Sequence, residues 1–244
     1  MLTPRIFVGT QAPPSPGADY ALADAAARHV AQALRMRAGD RLALFTGEGG
    51  EFTAAIARID RGGVVVRVER HDAVEREAPA PIVLVHALIA SDMMDFVVRK
   101  AVELGAAAVV PVQCARSQGL PQARVARRVQ HWRQIAVAAC EQCGRNRVPE
   151  VADIVPFAQW LEGAGANRAA LLQAGAAHSL AHVARAAPLR AIAVGPEGGF
   201  TPEEAAVAVE RGLALAHLGA RVLRAETAAI AALATVNAIA GDAA

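Results

Sequence analysis

From residue 82 onward the chain alternates between short apolar runs and longer helical stretches, and this alternation limits the folds available to it. The apolar runs span residues 82–90, 107–113, 168–173, 191–195 and 214–218. The helical stretches lie near residues 91–104, 122–143, 156–163, 202–211 and 227–241. Strands that alternate with helices in this way predict an α/β fold, with a mostly parallel sheet covered by helices on both faces.

The first 73 residues have a different pattern, which is rich in β-forming residues. Segments 41–46, 51–59 and 63–70 are separated by the turn sequences GEGG and DRGG. In the third segment, valines at alternate positions (Val64, Val66 and Val68) indicate a strand with one buried face. A short helix that is capped by Asp24 is expected to precede these strands. The pattern predicts a small barrel at 1–73, a charged and proline-rich linker at 74–81, and the α/β domain at 82–244.

Composition excludes several classes of protein. With 244 residues, 54% of them hydrophobic and 20% charged, the chain can bury a core and should fold. Uncharged stretches such as 82–90 and 227–241 are shorter than the roughly 20 apolar residues of a membrane span. The N-terminus lacks a basic start followed by an apolar run, so no secretion signal is expected. Three cysteines cannot form a disulfide framework, which favours a reduced, cytoplasmic setting.

Basic residues are concentrated in one part of the chain. The formal net charge is only +2, but residues 116–150 contain seven arginines and two glutamates. Arginine has a planar fork that grips phosphate and stacks on bases, so this cluster suits an RNA-facing surface. The alternative is a solvated helix face.

The sharpest motif is Gly195-Pro196-Glu197-Gly198-Gly199-Phe200, which follows the apolar run AIAV. Ligands of α/β sheets bind beyond the carboxyl ends of strands, and glycines there allow close approach of the backbone. Thr201, Pro202 and Glu204 form a capping-box signature that predicts a helix directly after this loop. The loop is neither a dinucleotide fingerprint nor a P-loop. The alternative is an ordinary turn between a strand and a helix.

A second motif, LGARVLRAETA at 218–228, also follows an apolar run and opens the last helix. It concentrates two arginines and a glutamate at a strand end, where burial would require them to be paired. The alternative to a binding role is an ion pair that only holds the loop in place.

The third motif is ACEQCGRNRVPE at 139–150. Its Cys-x-x-Cys spacing allows a metal or redox role, but a structural zinc needs four ligands and no second pair exists. The cysteines are therefore expected to pack as small apolar residues, and no metal is predicted. The basic residues after them suit RNA contact. His178 and His182 lack the Glu of a zinc-binding helix and are interpreted as ordinary surface residues.

These three motifs occur in an order that resembles the RsmE family of SPOUT (trefoil-knot) methyltransferases. RIFV and HVAQALRMRAGD in the first 40 residues strengthen the resemblance, which covers nearly the whole chain. It implies a PUA-like β-barrel domain followed by a knotted SPOUT domain, S-adenosyl-L-methionine (SAM) as cofactor, and a homodimer. It also implies methylation of N3 of a uridine in the 16S ribosomal RNA of the small ribosomal subunit. The cofactor-binding residues that it implies are Leu172, Gly195, Pro196, Glu197, Gly198, Leu218, Gly219, Leu223, Arg224, Thr227 and Ala228.

The implied chemistry agrees with these residue types. Uracil N3 must lose a proton as it attacks the methyl carbon, and an arginine would stabilise the charge that spreads onto the ring carbonyls. Arg224 is the first candidate for this role, and Arg221 is a weaker second candidate. Glu197 and Glu226 are candidate general bases, provided that burial raises their basicity. The residues expected to bind RNA are Arg5, Arg35, Arg145 and Arg147.

Two other functions remain open at this point. SPOUT enzymes that methylate a ribose 2′-hydroxyl carry an early Asn-x-Gly…Arg motif, whereas the matching region here reads SDMMDFVVRKAVELG. A non-catalytic RNA-binding or ribosome-assembly factor would not need the two loops at 195–200 and 218–228.

Overall fold

Two units make up the structure, a computed structural model that describes residues 3–163 and 168–242. Unit 1 comprises Met1–Glu77 and Cys140–Val148, and unit 2 comprises Ala78–Ala139 and Pro149–Ala244. The outer limits of the predicted domains, residues 1 and 244, lie outside the described residues. Sequence analysis assigned residues 140–148 to the α/β domain, whereas their contacts place them in unit 1.

A five-stranded sheet forms the body of unit 1. Its strands are β1 (Arg5–Phe7), β2 (Asp19–Ala21), β3 (Arg41–Phe45), β4 (Glu51–Asp60) and β5 (Gly63–Asp72). They lie in the order β1-β3-β4-β5-β2, with β1 parallel to β3 and the other pairs antiparallel. The β4–β5 pair contains two register shifts, one between Thr53 and Ala54 and one between Ile56 and Arg58. The three strands predicted from the sequence are confirmed as β3, β4 and β5.

The core of unit 1 lies between this sheet and a short helical segment. Helix α1 (Asp24–Arg28) continues into a π-helical turn at His29–Ala33, and Val30 is buried together with Val64, Val66 and Val68 of β5. The predicted cap at Asp24 is wrong. Ala23 precedes the helix without a side-chain cap, and Asp24 lies in the first turn, where its carboxylate still favours the helix dipole.

Unit 2 is built on a parallel sheet. The strands are β6 (Val83–Ala87), β7 (Ala108–Gln113), β8 (Glu150–Val151), β9 (Val155–Pro156), β10 (Ala169–Leu172), β11 (His178–Ser179), β12 (Ala191–Val194) and β13 (Ala214–His217). Their order is β11-β13-β10-β12-β6-β7-β8, and β9 also pairs with β7. Every pairing among these described strands is parallel, which confirms the predicted sheet.

Helices connect the strands of unit 2. They are α2 (Ser91–Glu103), α3 (Gln122–Cys143, whose last residues belong to unit 1), α4 (Phe157–Glu162), α5 (Leu180–Ala186), α6 (Pro202–Glu210) and α7 (Ala225–Ala240). Helix α5 and the two-residue strands are missing from the sequence-based prediction, because segments this short carry little periodicity.

The topology brings β13, β10, β12 and β6 side by side. Because parallel strands all end at the same edge of a sheet, the segments that follow these four strands meet at one place. The two glycine-containing loops found in the sequence, 195–200 and 218–224, are among them.

Candidate active site

A cavity of about 720 Å³ lies at this edge of the unit 2 sheet; we call it the main cavity. Its size is within the range of roughly 300–1,000 Å³ that is usual for small-molecule sites. Its wall comes from the ends of β10, β12 and β13, the loops after them, the start of α7 and the beginning of α2. The charged residues of the wall are Glu197, Arg221, Arg224 and Glu226.

The glycine loop, residues Gly195–Phe200, forms one side of the main cavity. The predicted capping box holds the far end of the loop. Thr201 Oγ1 accepts a hydrogen bond from the Glu204 amide at 3.1 Å, and Glu204 Oε2 accepts one from the Thr201 amide at 2.8 Å. At the near end, a Cβ atom on Gly195 would lie 3.0 Å from the Phe200 ring and 3.1 Å from the Phe200 nitrogen. A side chain at position 195 would therefore crowd Phe200, which favours glycine where the loop turns this tightly.

The arginine loop, residues Leu218–Arg224, forms the opposite side. Gly219 has φ of +109°, and its amide donates to His217 Nδ1 at 2.9 Å. Arg221 and Arg224 are exposed, and neither forms an ion pair within the described part of the chain. The alternative in which an arginine–glutamate pair merely holds this loop therefore has no counterpart in the structure.

A third segment, the bracing loop Ala115–Gln118, supports the glycine loop from outside. Arg116 Nη1 donates to the Gly198 carbonyl at 2.7 Å, and the Ala115 amide donates to Glu204 Oε1 at 2.8 Å. Gln118 Nε2 donates to Glu197 Oε1 at 3.4 Å. These bonds fix the position of the glycine loop in the structure.

His86 is fully buried at the end of β6, close to the start of α7. Burial lowers the pKa of His86, because it disfavours the charged imidazole. The hydrogen bond between His86 Nδ1 and the Ala87 carbonyl and the negative charges of Glu226 and Glu197 oppose this shift without cancelling it. His86 is thus a neutral ring in the folded protein near pH 7.

This burial predicts a pH dependence of stability. The unfolded chain takes up a proton at His86 below about pH 6.5, whereas the folded chain resists it, so stability should fall as the pH drops through that value. Between about pH 7.5 and 5.5 the loss from this one group is at most about 1.4 kcal/mol. We expect His86→Gln to remove this part of the pH dependence, measured by chemical denaturation. His182→Gln, at an exposed site, is the control; equal pH profiles for His86→Gln and the wild type would contradict the argument.

The structure brings nearly all the predicted cofactor residues together. The main cavity is lined by Leu172, Gly195, Pro196, Glu197, Gly198, Leu218, Gly219, Leu223, Arg224 and Ala228, and also by Glu226. Thr227 is exposed on α7 and does not line it. Sequence reasoning missed Gln173, Val194 and His217, which lie at or just beyond the ends of β10, β12 and β13. The rule that ligands bind beyond strand ends could have found them.

The predicted RNA-binding arginines occupy different environments. Arg5 forms an ion pair with Glu51 and donates to Asn146 Oδ1 and the Arg145 carbonyl, and its side chain is 10% exposed. Arg145 is paired with Glu77 and its side chain is 4% exposed. The expectation that these two arginines contact RNA is not supported, because both are enclosed in unit 1. Arg35 is exposed, and Arg147 is half exposed and paired with Glu75; for these two the contact stays a prediction.

Arg145 thus has a measurable structural role. Replacing it with alanine leaves the carboxylate of Glu77 without its partner, and we expect the free energy of unfolding to fall by about 2–3 kcal/mol. Arg147→Ala is the matched control, because its pair with Glu75 is exposed and should contribute less than about 1 kcal/mol. Equal losses in chemical denaturation would show that burial of Arg145 does not matter.

The cysteine motif has no reactive thiol at its first position. Burial raises the pKa of Cys140 to about 12, so this thiol stays protonated at neutral pH. Its Sγ donates to the Arg147 carbonyl at 3.6 Å. Among the described residues, no three metal-ligating side chains come together.

None of the helices that the structure describes has the length and apolar character needed to cross a membrane.

Comparisons with known proteins agree with this site. The family described as RNA methyltransferase domain matches residues 76–237, and the RNA methyltransferase PUA domain matches residues 22–69. The ribosomal RNA small subunit methyltransferase E of Mycobacterium bovis is 33% identical over 216 residues, which cover 86% of this chain and 82% of the relative. The enzyme of the same name from Synechocystis is 31% identical over 228 residues, covering 91% and 74%.

Two solved structures extend this likeness to the whole fold. A methyltransferase from Legionella pneumophila with bound SAM is 35% identical, with a TM-score of 0.90 and 98% of both chains covered. The ribosomal RNA small subunit methyltransferase E of Neisseria gonorrhoeae, bound to S-adenosyl methionine, is 32% identical, with a TM-score of 0.89 and the same coverage. The predicted α/β fold with a PUA-like domain is confirmed, whereas the knot stays a prediction. On this evidence the chain belongs to the ribosomal RNA small subunit methyltransferase E (RsmE) family of RNA methyltransferases.

Proposed function

We propose that this protein uses SAM to methylate N3 of a specific uridine in the 16S ribosomal RNA of the small subunit. The observation that carries the proposal is the main cavity, in which the glycine loop and the arginine loop face each other at the carboxyl edge of a parallel sheet. Membership of the RsmE family supports both the cofactor and the class of substrate.

The residues of the main cavity fit SAM. Backbone groups of the glycine and arginine loops can form hydrogen bonds with an adenine, and apolar side chains such as Leu172 and Leu223 line the same cavity. When bound, SAM supplies a methyl group that its sulfonium charge makes electrophilic. Glu197 and Glu226 contribute negative charge that favours a sulfonium, and they balance the positive charge of Arg221 and Arg224 in the same wall.

The chain's own residues would then act on the uridine. Arg224 lines the main cavity, is exposed and has no ion-pair partner within the described residues, so its guanidinium is available to a uracil carbonyl. Glu226 is half-buried and Glu197 is exposed. Glu226 is the less exposed of the two candidate bases. The homodimer and the cytoplasmic location stay predictions.

A product analysis tests the function directly. The purified protein is incubated with labelled SAM and small-subunit particles that lack their modifications, and methylated nucleosides are mapped by mass spectrometry. We expect a single 3-methyluridine. A 2′-O-methyl product would contradict the assigned acceptor atom. Absence of both product and SAM binding would favour the non-catalytic RNA-binding alternative.

The tight turn at Gly195 gives a prediction for cofactor binding. Gly195→Ala adds a Cβ atom that lies 3.0–3.2 Å from three atoms of Phe200, so the glycine loop must shift. Overpacking of this kind costs about 1–3 kcal/mol, and we expect SAM affinity to fall about tenfold or more in calorimetry. Gly163→Ala is the control, because a Cβ there meets its nearest atom at 3.4 Å and Gly163 has an ordinary extended backbone. Unchanged affinity in Gly195→Ala would show that the loop tolerates the shift.

A further inference from the structure

A second, smaller cavity lies beside the main cavity in unit 2, at the beginning of α3; we call it the side cleft. It measures about 200 Å³, and its polar lining comes from Ser91, Gln118, Arg124 and Arg128, with Trp132 as an aromatic wall. This volume is below the roughly 300–1,000 Å³ of usual small-molecule pockets. It suits a single chemical group better than a whole nucleotide.

The side cleft is positively charged. Arg124 and Arg128 are four residues apart on α3, so they lie on the same face of the helix and repel each other. Arg124 is exposed and forms no ion pair within the described part of the chain. Arg128 pairs with Asp95, so the uncompensated charge of the cleft is that of Arg124. An exposed arginine beside a second one at a cavity indicates an anionic ligand, because the guanidinium fork matches phosphate in geometry.

Asp95, which pairs with Arg128, also bonds to two other side chains of α3. Asp95 lies 3.6 Å from Arg128, but its oxygens also accept hydrogen bonds from His131 at 2.9 Å and from the Trp132 indole at 3.0 Å. Asp95 does not line the side cleft. Asp95 thus holds side chains of α3 in place without lining the cleft. The polar groups that do line it are the two arginines, Ser91 and Gln118.

The side cleft and the main cavity share a wall. Ile89 and Ser91 line the side cleft, while Ala90 between them lines the main cavity. Gln118 lines the side cleft and donates to Glu197, which lines the main cavity. Consecutive Cα atoms are about 3.8 Å apart, so groups bound in the two cavities would be separated by only a few residues of the shared wall.

We infer that the side cleft binds a backbone phosphate of the RNA substrate, next to the nucleotide whose base enters the main cavity. This inference rests on the proposed function, since the RNA is its substrate. Phosphate contacts from arginine, serine and glutamine side chains set the position of a nucleic acid without reading its sequence. Held here, the phosphate would orient the uridine toward Arg224.

The test compares arginines on the same helix. Arg124→Ala and Arg128→Ala each remove an arginine that lines the side cleft, whereas Arg127→Ala removes an exposed arginine that does not line it. Binding of an unmodified small-subunit RNA fragment is measured over a range of salt concentrations. For each cleft variant, the plot of log affinity against log salt should become flatter by about 0.7–0.9, since one phosphate contact is lost. RNA affinity should fall severalfold, while SAM affinity stays unchanged. Arg127→Ala should keep the wild-type slope.

Several outcomes would overturn the inference. Equal salt slopes for Arg124→Ala and the wild type, or the same flattening in Arg127→Ala, would contradict a phosphate contact in the side cleft. The arginines of α3 would then attract RNA only through their general positive charge. Loss of SAM affinity in Arg124→Ala without loss of RNA affinity would assign the side cleft to the cofactor. If the wild type binds and methylates RNA while the cleft variants behave normally, the cleft inference alone fails. If the wild type neither binds nor methylates RNA, the proposed function fails with it.

Discussion

Arg224→Ala should lower the rate constant of methyl transfer by about 10²–10³-fold, the usual effect of removing one donor that stabilises charge in the transition state. The side chain lines the main cavity and has no ion-pair partner among the described residues, so its guanidinium is available to the developing negative charge on the uracil. Arg224 precedes α7 without making a side-chain cap, so its removal should leave the helix start intact. The measurement is a single-turnover rate at saturating SAM and RNA.

Two controls separate this role from others. Arg221→Ala removes a second arginine of the same loop and should have a smaller effect, because Arg221 is the weaker candidate. Arg224→Lys keeps the charge but loses the planar fork, and we expect an intermediate rate. SAM affinity is measured separately for each variant, because Arg224 is also among the expected cofactor-binding residues, and the rates are compared at saturating SAM. A rate for Arg224→Ala within a few-fold of wild type would exclude Arg224 as the stabilising group.

Glu226→Gln should lower the same rate constant by about 10²-fold, because general-base catalysis typically contributes 10²–10⁴-fold. Its carboxylate is half-buried in the wall of the main cavity, and the amide of glutamine has a similar shape but cannot take up the proton. The residual rate should rise with pH, since solvent must then remove the N3 proton. A pH–rate profile therefore reports the role of Glu226 independently of the size of the loss.

Glu197→Gln is the matched comparison. Glu197 lines the same cavity but is exposed and is bonded to Gln118 at 3.4 Å, so we expect a smaller effect on rate. If both variants kept a near-normal rate with SAM binding intact, neither carboxylate would be the base. The proton would then pass directly to water.

The local patterns of unit 2 were sufficient to predict most of its elements. The run AIAV became β12, the capping-box signature became the start of α6, and the span 122–143 became α3 with the same bounds. Each of these signals depends on residues close together in the chain. The predicted cofactor residues, except Thr227, line one cavity. They do so because the two loops follow strands that the alternation of strands and helices predicts to be parallel.

The third motif, ACEQCGRNRVPE, shows what local sequence patterns cannot predict. Cys140–Val148 reads as a basic helix end, and from the sequence Arg145 and Arg147 look equally suited to RNA. The structure places this segment in unit 1, where Arg145 is enclosed with Glu77 and Asn146 donates to the Val74 carbonyl. These partners are about 70 residues away in the chain. No periodicity or spacing near residue 145 reports on them.

The sequence by itself determined the alternation of strands and helices and the two loops that follow parallel strands. These properties follow from side-chain type and short-range spacing, which act before the chain is folded. Only the tertiary structure decided which arginines are enclosed in ion pairs and which remain open, as Arg145 and Arg224 illustrate. It also decided that the side cleft lies beside the main cavity. The reason is that burial and charge pairing depend on distances between residues that are far apart in the chain.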